Sequence, residues 1–139
     1  RWYLLAKDLN GNKEKTFGLD RIVDVQLTNK KFEPENSIIA NKLRNCIGIG
    51  CSNNIDEEKI EVILSFTKSQ SNYVKGYKMH PRQKILIDST EELRIRLKIF
   101  YTYDLEKEIL SYGDGVKVIQ PKELANQIKK RLLKAIEKY

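Results

Sequence analysis

The sequence predicts an α+β protein in two parts. The last strands of a small β-barrel come first, and a ferredoxin-like βαββαβ domain with a C-terminal helix follows. Three observations carry this prediction. Short apolar–polar alternations open the chain. The second half then switches between period 2 and helical spacing in the order β-α-β-β-α-β. Finally Leu124, Ile128, Leu132 and Ile136 recur every four residues near the end, as on one side of a helix.

The expected parts are 1–28, the barrel strands; 29–57, a connector; and 58–139, the ferredoxin-like domain. In the first part, Trp2, Leu4 and Ala6 alternate with Tyr3, Leu5 and Lys7, so both faces of the strand are largely apolar. A strand covered on two sides suits a small barrel. Asn10-Gly11 signals a hairpin, because both residues tolerate positive φ. A second strand is expected at about Lys15 to Leu19, with Phe17 and Leu19 on one face. Val23, Val25 and Leu27 alternate with Asp24 and Gln26 as a third strand. Three strands do not make a stable unit alone. The chain opens in mid-strand on an aromatic pair, so at least one further strand is expected ahead of it.

The connector holds Pro34, a possible helix start with Ile39 and Leu43 on one side. The breakers Gly48, Gly50, Ser52, Asn53 and Asn54 follow, and Asp56 and Glu57 close the segment. In the third part Ile60, Val62, Leu64 and Phe66 alternate as a strand, and Tyr73, Val74 and Tyr77 mark a short helix. Lys84 to Asp88 is a strand, joined by a hairpin at Glu91-Glu92 to Leu93, Ile95, Leu97 and Ile99. Asp104 is placed as the cap of a helix through Leu105, Ile109, Leu110 and Tyr112, which Gly113 and Gly115 end. Val116 to Ile119 is the last strand, and Pro121 opens the terminal helix. The lysines and arginine of its last turns suit the negative helix end.

Composition narrows the chemistry. The 139 residues hold 26 Lys and Arg against 19 Asp and Glu, a net charge of +7, which favours acidic partners, nucleic acid first. No stretch approaches the roughly 18 apolar residues of a membrane span, and no signal peptide is legible, so a cytoplasmic setting is expected. One histidine and two cysteines leave no four-ligand zinc site within one subunit. Cys46 and Cys51 are expected as two reduced thiols. No phosphate-binding glycine loop, nucleophile elbow or dinucleotide fingerprint is present. The chain is expected not to be an enzyme, to need no cofactor and to have neither catalytic nor metal-binding residues.

Arg1-Trp2-Tyr3-Leu4, followed by Thr16-Phe17-Gly18-Leu19-Asp20-Arg21-Ile22, resembles the WYL domain of bacterial transcriptional regulators. The second half resembles the WYL C-terminal extension, through Lys78-Met79-His80-Pro81-Arg82-Gln83, Glu108-Ile109-Leu110-Ser111-Tyr112-Gly113 and Val116-Lys117-Val118-Ile119-Gln120-Pro121. Phe32-Glu33-Pro34-Glu35 is similar to the family's interdomain linker. The resemblance implies a barrel of the Sm-like, SH3 type behind a helix-turn-helix that binds promoter DNA. It also implies a nucleic-acid or nucleotide ligand, single-stranded DNA in some members, and an extension that supports homodimerisation. Family members often carry Arg two residues before the Asp of the Leu-Asp-Arg tract; Gly18 stands there in this chain.

The expected ligand-binding residues are Tyr3, Lys7, Arg21, His80, Arg82, Arg94, Arg96 and Lys98. Tyr3 either stacks on a base or packs in the barrel. Arg21, after the Asp20 turn, can grip a phosphate bidentately or pair internally with Asp20 or Asp24. Lys7 widens the positive field or is simply solvated. Arg94, Arg96 and Lys98 share one sheet face by period 2, where they carry an anion, stay solvated or pair with Glu61. His80 is a structural or ligand-contacting histidine, with Arg82 adding polar reach beside it. The expected mechanism is linkage, in which an anionic ligand between barrel and extension shifts the upstream DNA-binding domain. Two alternatives stand beside it: a dimerisation scaffold without ligand, and an accessory nucleic-acid grip of a larger defence or repair protein.

Overall fold

A computed structural model describes residues 2–31, 38–51 and 57–139. The chain divides into two compact units, 1–44 and 45–139. The α+β class holds, with a small β unit ahead of a ferredoxin-like one.

In the first unit, β1 (Tyr3–Asp8) and β2 (Lys13–Gly18) form an antiparallel hairpin with Tyr3 opposite Gly18 and Lys7 opposite Glu14. The reversal covers Leu9 to Asn12, and its left-handed residue is Asn12 (φ 49°) rather than Asn10 or Gly11. The Asp8 carboxylate accepts from Asn10 N and from Lys15, which holds it below the usual carboxylate range, the Lys15 bond first. A 3-10 turn, Leu19–Arg21, follows β2. A short helix, α1 (Ile38–Leu43), is tied to the hairpin by Ile39 N donating to Glu14 Oε2 at 3.2 Å. The Pro34 helix start, Ser52, Asn53, Asn54, Asp56 and the Phe32–Glu35 linker lie outside the described residues.

The expected third strand does not form. Residues 22–28 are irregular, and Val23 and Leu27 are fully exposed. Alternation marks a segment able to pair, but a strand exists only where a neighbour completes its ladder. No described residue supplies one.

The second unit contains β3 (Ile60–Thr67), α2 (Lys68–Gly76), β4 (Lys84–Asp88), β5 (Glu92–Ile99), α3 (Tyr103–Ser111), β6 (Val116–Gln120) and α4 (Lys122–Ile136). The sheet order is β4-β5-β3-β6, with every neighbouring pair antiparallel. One sheet face is a continuous apolar layer. Val62, Leu64 and Phe66 of β3 meet Leu93, Ile95, Leu97 and Ile99 of β5, all essentially without solvent. Val74 of α2, Leu105 and Ile109 of α3, and Leu124 and Ile128 of α4 close over that layer. Each such side chain contributes about 1.5–3 kcal/mol on full burial. Phe66 and Tyr112 meet edge to face at 5.0 Å.

Three details depart from the sequence reading. Thr102, not Asp104, caps α3: its hydroxyl accepts from Leu105 N at 3.0 Å. Pro121 is the residue before the first turn of α4 rather than in it. The α4 stripe is buried only at its start, because Leu132 and Ile136 are 42% and 69% exposed. The helix meets the rest of the unit through Leu124, Ile128 and the ion pair of Arg131 with Glu106 (2.7 Å). Beyond that pair its apolar side has nothing among the described residues to cover it.

Cys46 and Cys51 form a disulfide, correcting the expectation of two reduced thiols. Their loop folds back on itself because Asp104 Oδ2 accepts from Ile49 N and Gly50 N, at 3.2 and 3.3 Å, and Thr102 donates to Ile47 O. Spacing alone could not reveal a turn built by residues more than fifty positions away.

Candidate nucleic-acid interface

Burial of Leu93, Ile95, Leu97 and Ile99 obliges the intervening Arg94, Arg96 and Lys98 to stand on the outer sheet face. Register extends that face sideways. Arg96 is opposite Ile63 on β3 and Lys84 on β4, and Lys98 is opposite Glu61. A shallow cleft of about 460 Å³ results, lined by Lys59, Glu61, Arg82, Lys84, Arg96 and Lys98. Five cations therefore surround one carboxylate. A volume of this size is in the range of ligand sites.

The cations are held to different degrees. Arg96 is 3.7 Å from Glu61, and both side chains are about two-fifths exposed (39% and 41%), so the pair is loose. Lys59 lies 5.7 Å from the centre of the Phe100 ring. Arg82 donates to Asn45 Oδ1 at 2.6 Å, which fixes its guanidinium from behind. The loop carrying Arg82 is itself braced. Gln83 N donates to His80 O, Gln83 Nε2 to Val74 O, and Met79 N to Gln83 Oε1.

Only part of the expected set is brought together. Arg82, Arg96 and Lys98 line the cleft, joined by Lys59 and Lys84, which the sequence reading missed. Lys84 could have been found by pairing the two strands of the β4–β5 hairpin, which sets it beside Arg96. Lys59, one residue ahead of β3, carries no such signal.

Arg94 is diverted from the cleft. Its guanidinium donates to Glu92 Oε1 at 2.7 Å, and its buried Nε meets no acceptor among the described residues. Glu92 also accepts from the Ser65 hydroxyl. That bond first, with Arg94 and Lys117, outweighs desolvation and keeps the carboxyl below its ordinary range.

His80 is not on the cleft surface. It is 4% exposed, and its Nδ1 accepts from Arg82 N at 3.1 Å, so it shapes the loop that carries Arg82. Tyr3, Lys7 and Arg21 belong to the first unit. Tyr3 is half-buried, and Lys7 and Arg21 are exposed. Gly18 is buried between them. A Cβ there would sit 2.7 Å from Asp20 Oδ1, the tip of an exposed side chain, and at ordinary contact distance, 3.7 Å, from both Arg21 Nε and the Tyr3 ring, so a side chain there requires Asp20 to move.

An antiparallel ferredoxin-like unit whose outer face is basic defines the class of domain to which this chain corresponds. The model of the WCX domain, the WYL C-terminal extension, matches residues 58–136. The chain belongs to the WCX-domain family. Among solved structures it is similar to proteasome accessory factor B/C (PafBC) of Arthrobacter aurescens, at 22% identity and a TM-score of 0.44. The match covers 95% of this chain and 20% of that one, so the chain spans about a fifth of the length of that protein. No curated protein matches the chain. No described helix is long and apolar enough to cross a membrane.

Proposed function

We propose that the chain is the ligand-sensing and dimerisation region of a WYL-type transcriptional regulator. Its outer sheet cleft receives a nucleic-acid or nucleotide polyanion. Binding favours one arrangement of the protein over another, and an upstream helix-turn-helix reads the difference. Such a ligand shifts the equilibrium only by its differential affinity for the two arrangements. The observation that carries this reading is the gathering of Lys59, Arg82, Lys84, Arg96 and Lys98 around Glu61 in one cleft. Lysine and arginine gathered in this way attract phosphates irrespective of base. The role is binding rather than catalysis, which the buried, loop-bracing position of His80 supports.

The test is fluorescence anisotropy with a labelled single-stranded oligonucleotide. Replacing Arg96 and Lys98 together by Gln removes two phosphate partners. The slope of log affinity against log salt then becomes shallower by about 1.4, from about 0.7 per contact. An unchanged curve removes the cleft from the proposal.

The exposed end of α4 favours a homodimer as the setting. Leu132, Leu133 and Ile136 are 42%, 52% and 69% exposed. It equally suits the second reading, a dimerisation scaffold without ligand, which predicts that no oligonucleotide changes the thermal midpoint.

A further inference from the structure

Glu61, the partner that the sequence reading offered for the cationic row, stands inside the cleft. It is the only carboxylate among the described lining residues, on the strand next to the cationic row, opposite Lys98 in register and 3.7 Å from the Arg96 guanidinium. It stands beside the cation that an incoming anion would seek. A single phosphate entering there competes with Glu61 for Arg96 and remains beside a like charge. A longer anion has another option. It can engage Lys59, Arg82 and Lys84 as well, so its attraction is spread over cations beyond the Arg96–Glu61 pair.

We propose that Glu61 makes the cleft count phosphates: it excludes isolated anions and admits a linear run of phosphates, as in the backbone of a single strand. This deepens the reading of the cleft as a polyanion site and rests on it. Recognition is blind to base, because no exposed aromatic ring among the described residues lines the cleft. The nearby Phe100 is 9% exposed and lies behind Lys59. Arg82 is set for a phosphate by its bond to Asn45, and Arg96 and Lys98, two residues apart on one strand, stand about 6.8 Å from each other along it. That interval suits neighbouring phosphates of an extended chain.

The same chemistry could come from a nucleic-acid strand or from free oligophosphate, and the experiment separates them. The 139-residue chain is titrated with inorganic phosphate, tripolyphosphate and a short oligothymidylate. Wild type, Glu61→Gln and the Arg96→Gln/Lys98→Gln pair are compared, with thermal midpoints confirming that each folds. Wild type discriminates strongly against phosphate. Glu61→Gln binds phosphate about two- to fivefold more tightly, the range expected for losing one exposed charge contact, and gains less for the oligothymidylate, so discrimination narrows. Tighter binding of oligothymidylate than of tripolyphosphate identifies a strand as the ligand; the reverse order identifies free oligophosphate, and either order supports counting. If Glu61→Gln leaves the discrimination unchanged while the double substitution abolishes binding, the role of Glu61 is overturned and the cleft stands. If the double substitution changes nothing, the cleft itself is overturned.

Discussion

Arg94 and Arg96 are two residues apart on the same strand face, yet the structure gives them different work. Arg94 is engaged by Glu92, whereas Arg96 faces the cleft in a loose pair with Glu61. Arg96→Gln should therefore weaken oligonucleotide binding several-fold, the effect of losing one charged contact, while Arg94→Gln leaves it within twofold. Isothermal titration of the two variants decides the point; equal losses would return both to one binding row. Asn45→Ala should act like a milder Arg82 substitution, since it frees the guanidinium that it holds. Asp104 offers a separate test by pH. Desolvation pushes its carboxyl up, but Lys107 and the amides of Ile49 and Gly50 outweigh that and hold it below the ordinary value. A depressed carboxylate stabilises the fold above its unfolded pKa, about 3.9. That contribution is lost as pH falls through the lower folded value. The amide resonances of Ile49 and Gly50 should accordingly shift at acid pH, and Asp104→Asn should abolish the titration. Of these features the sequence showed the cations and one partner, Glu61, but not the others. Period 2 placed Arg94, Arg96 and Lys98 together with Glu92 on the same strand, whereas Asn45 and Lys84 reach them through a loop and through strand register.

At the scale of elements, β5 was the most legible segment, because its alternation coincides with a central position between β3 and β4. Its inner residues are interchangeable in kind but not in volume. Leu97→Ala should cost about 2–5 kcal/mol in chemical denaturation, with binding by the refolded fraction unaffected. A cost under about 1 kcal/mol would mean that the face is less tightly packed than described. The segment of Val23, Val25 and Leu27 shows the opposite case: the same alternation, with no neighbour to complete a ladder. Caps and turns were legible in type but not in position. Thr102 and Asp104 are both capping residues, and only the bond from Leu105 N decides for Thr102. The terminal helix was readable as amphipathic. That its second half stays uncovered was not, since burial depends on what else is present. The tie between α3 and α4 runs through Glu106, which is 2% exposed and accepts from Arg131 and Tyr101. Arg131→Met leaves that carboxylate without its cation and should lower the thermal midpoint.

For the molecule as a whole, a net charge of +7 says only that anions are welcome. What matters is distribution. The apolar layer on one side of the second sheet fixes three helices there, and the strand period then sends cations to the other side. The ferredoxin-like topology was legible because β3 and β5 keep period 2 for their whole length and the helices between the strands keep helical spacing. The small β unit was less so, since residues 22–28 alternate like a strand yet have no described neighbour to pair with. A basic cleft with one carboxylate among its described lining residues is thus a consequence of the same alternation that builds the core. The measurement that tests this most directly is a map of backbone amide shifts on titration with a short single-stranded oligonucleotide. The account predicts perturbations centred on Lys59, Glu61, Arg82, Lys84, Arg96 and Lys98, which fade as salt is raised. Perturbations confined to the helical side, or none at oligonucleotide concentrations that saturate binding, would contradict it.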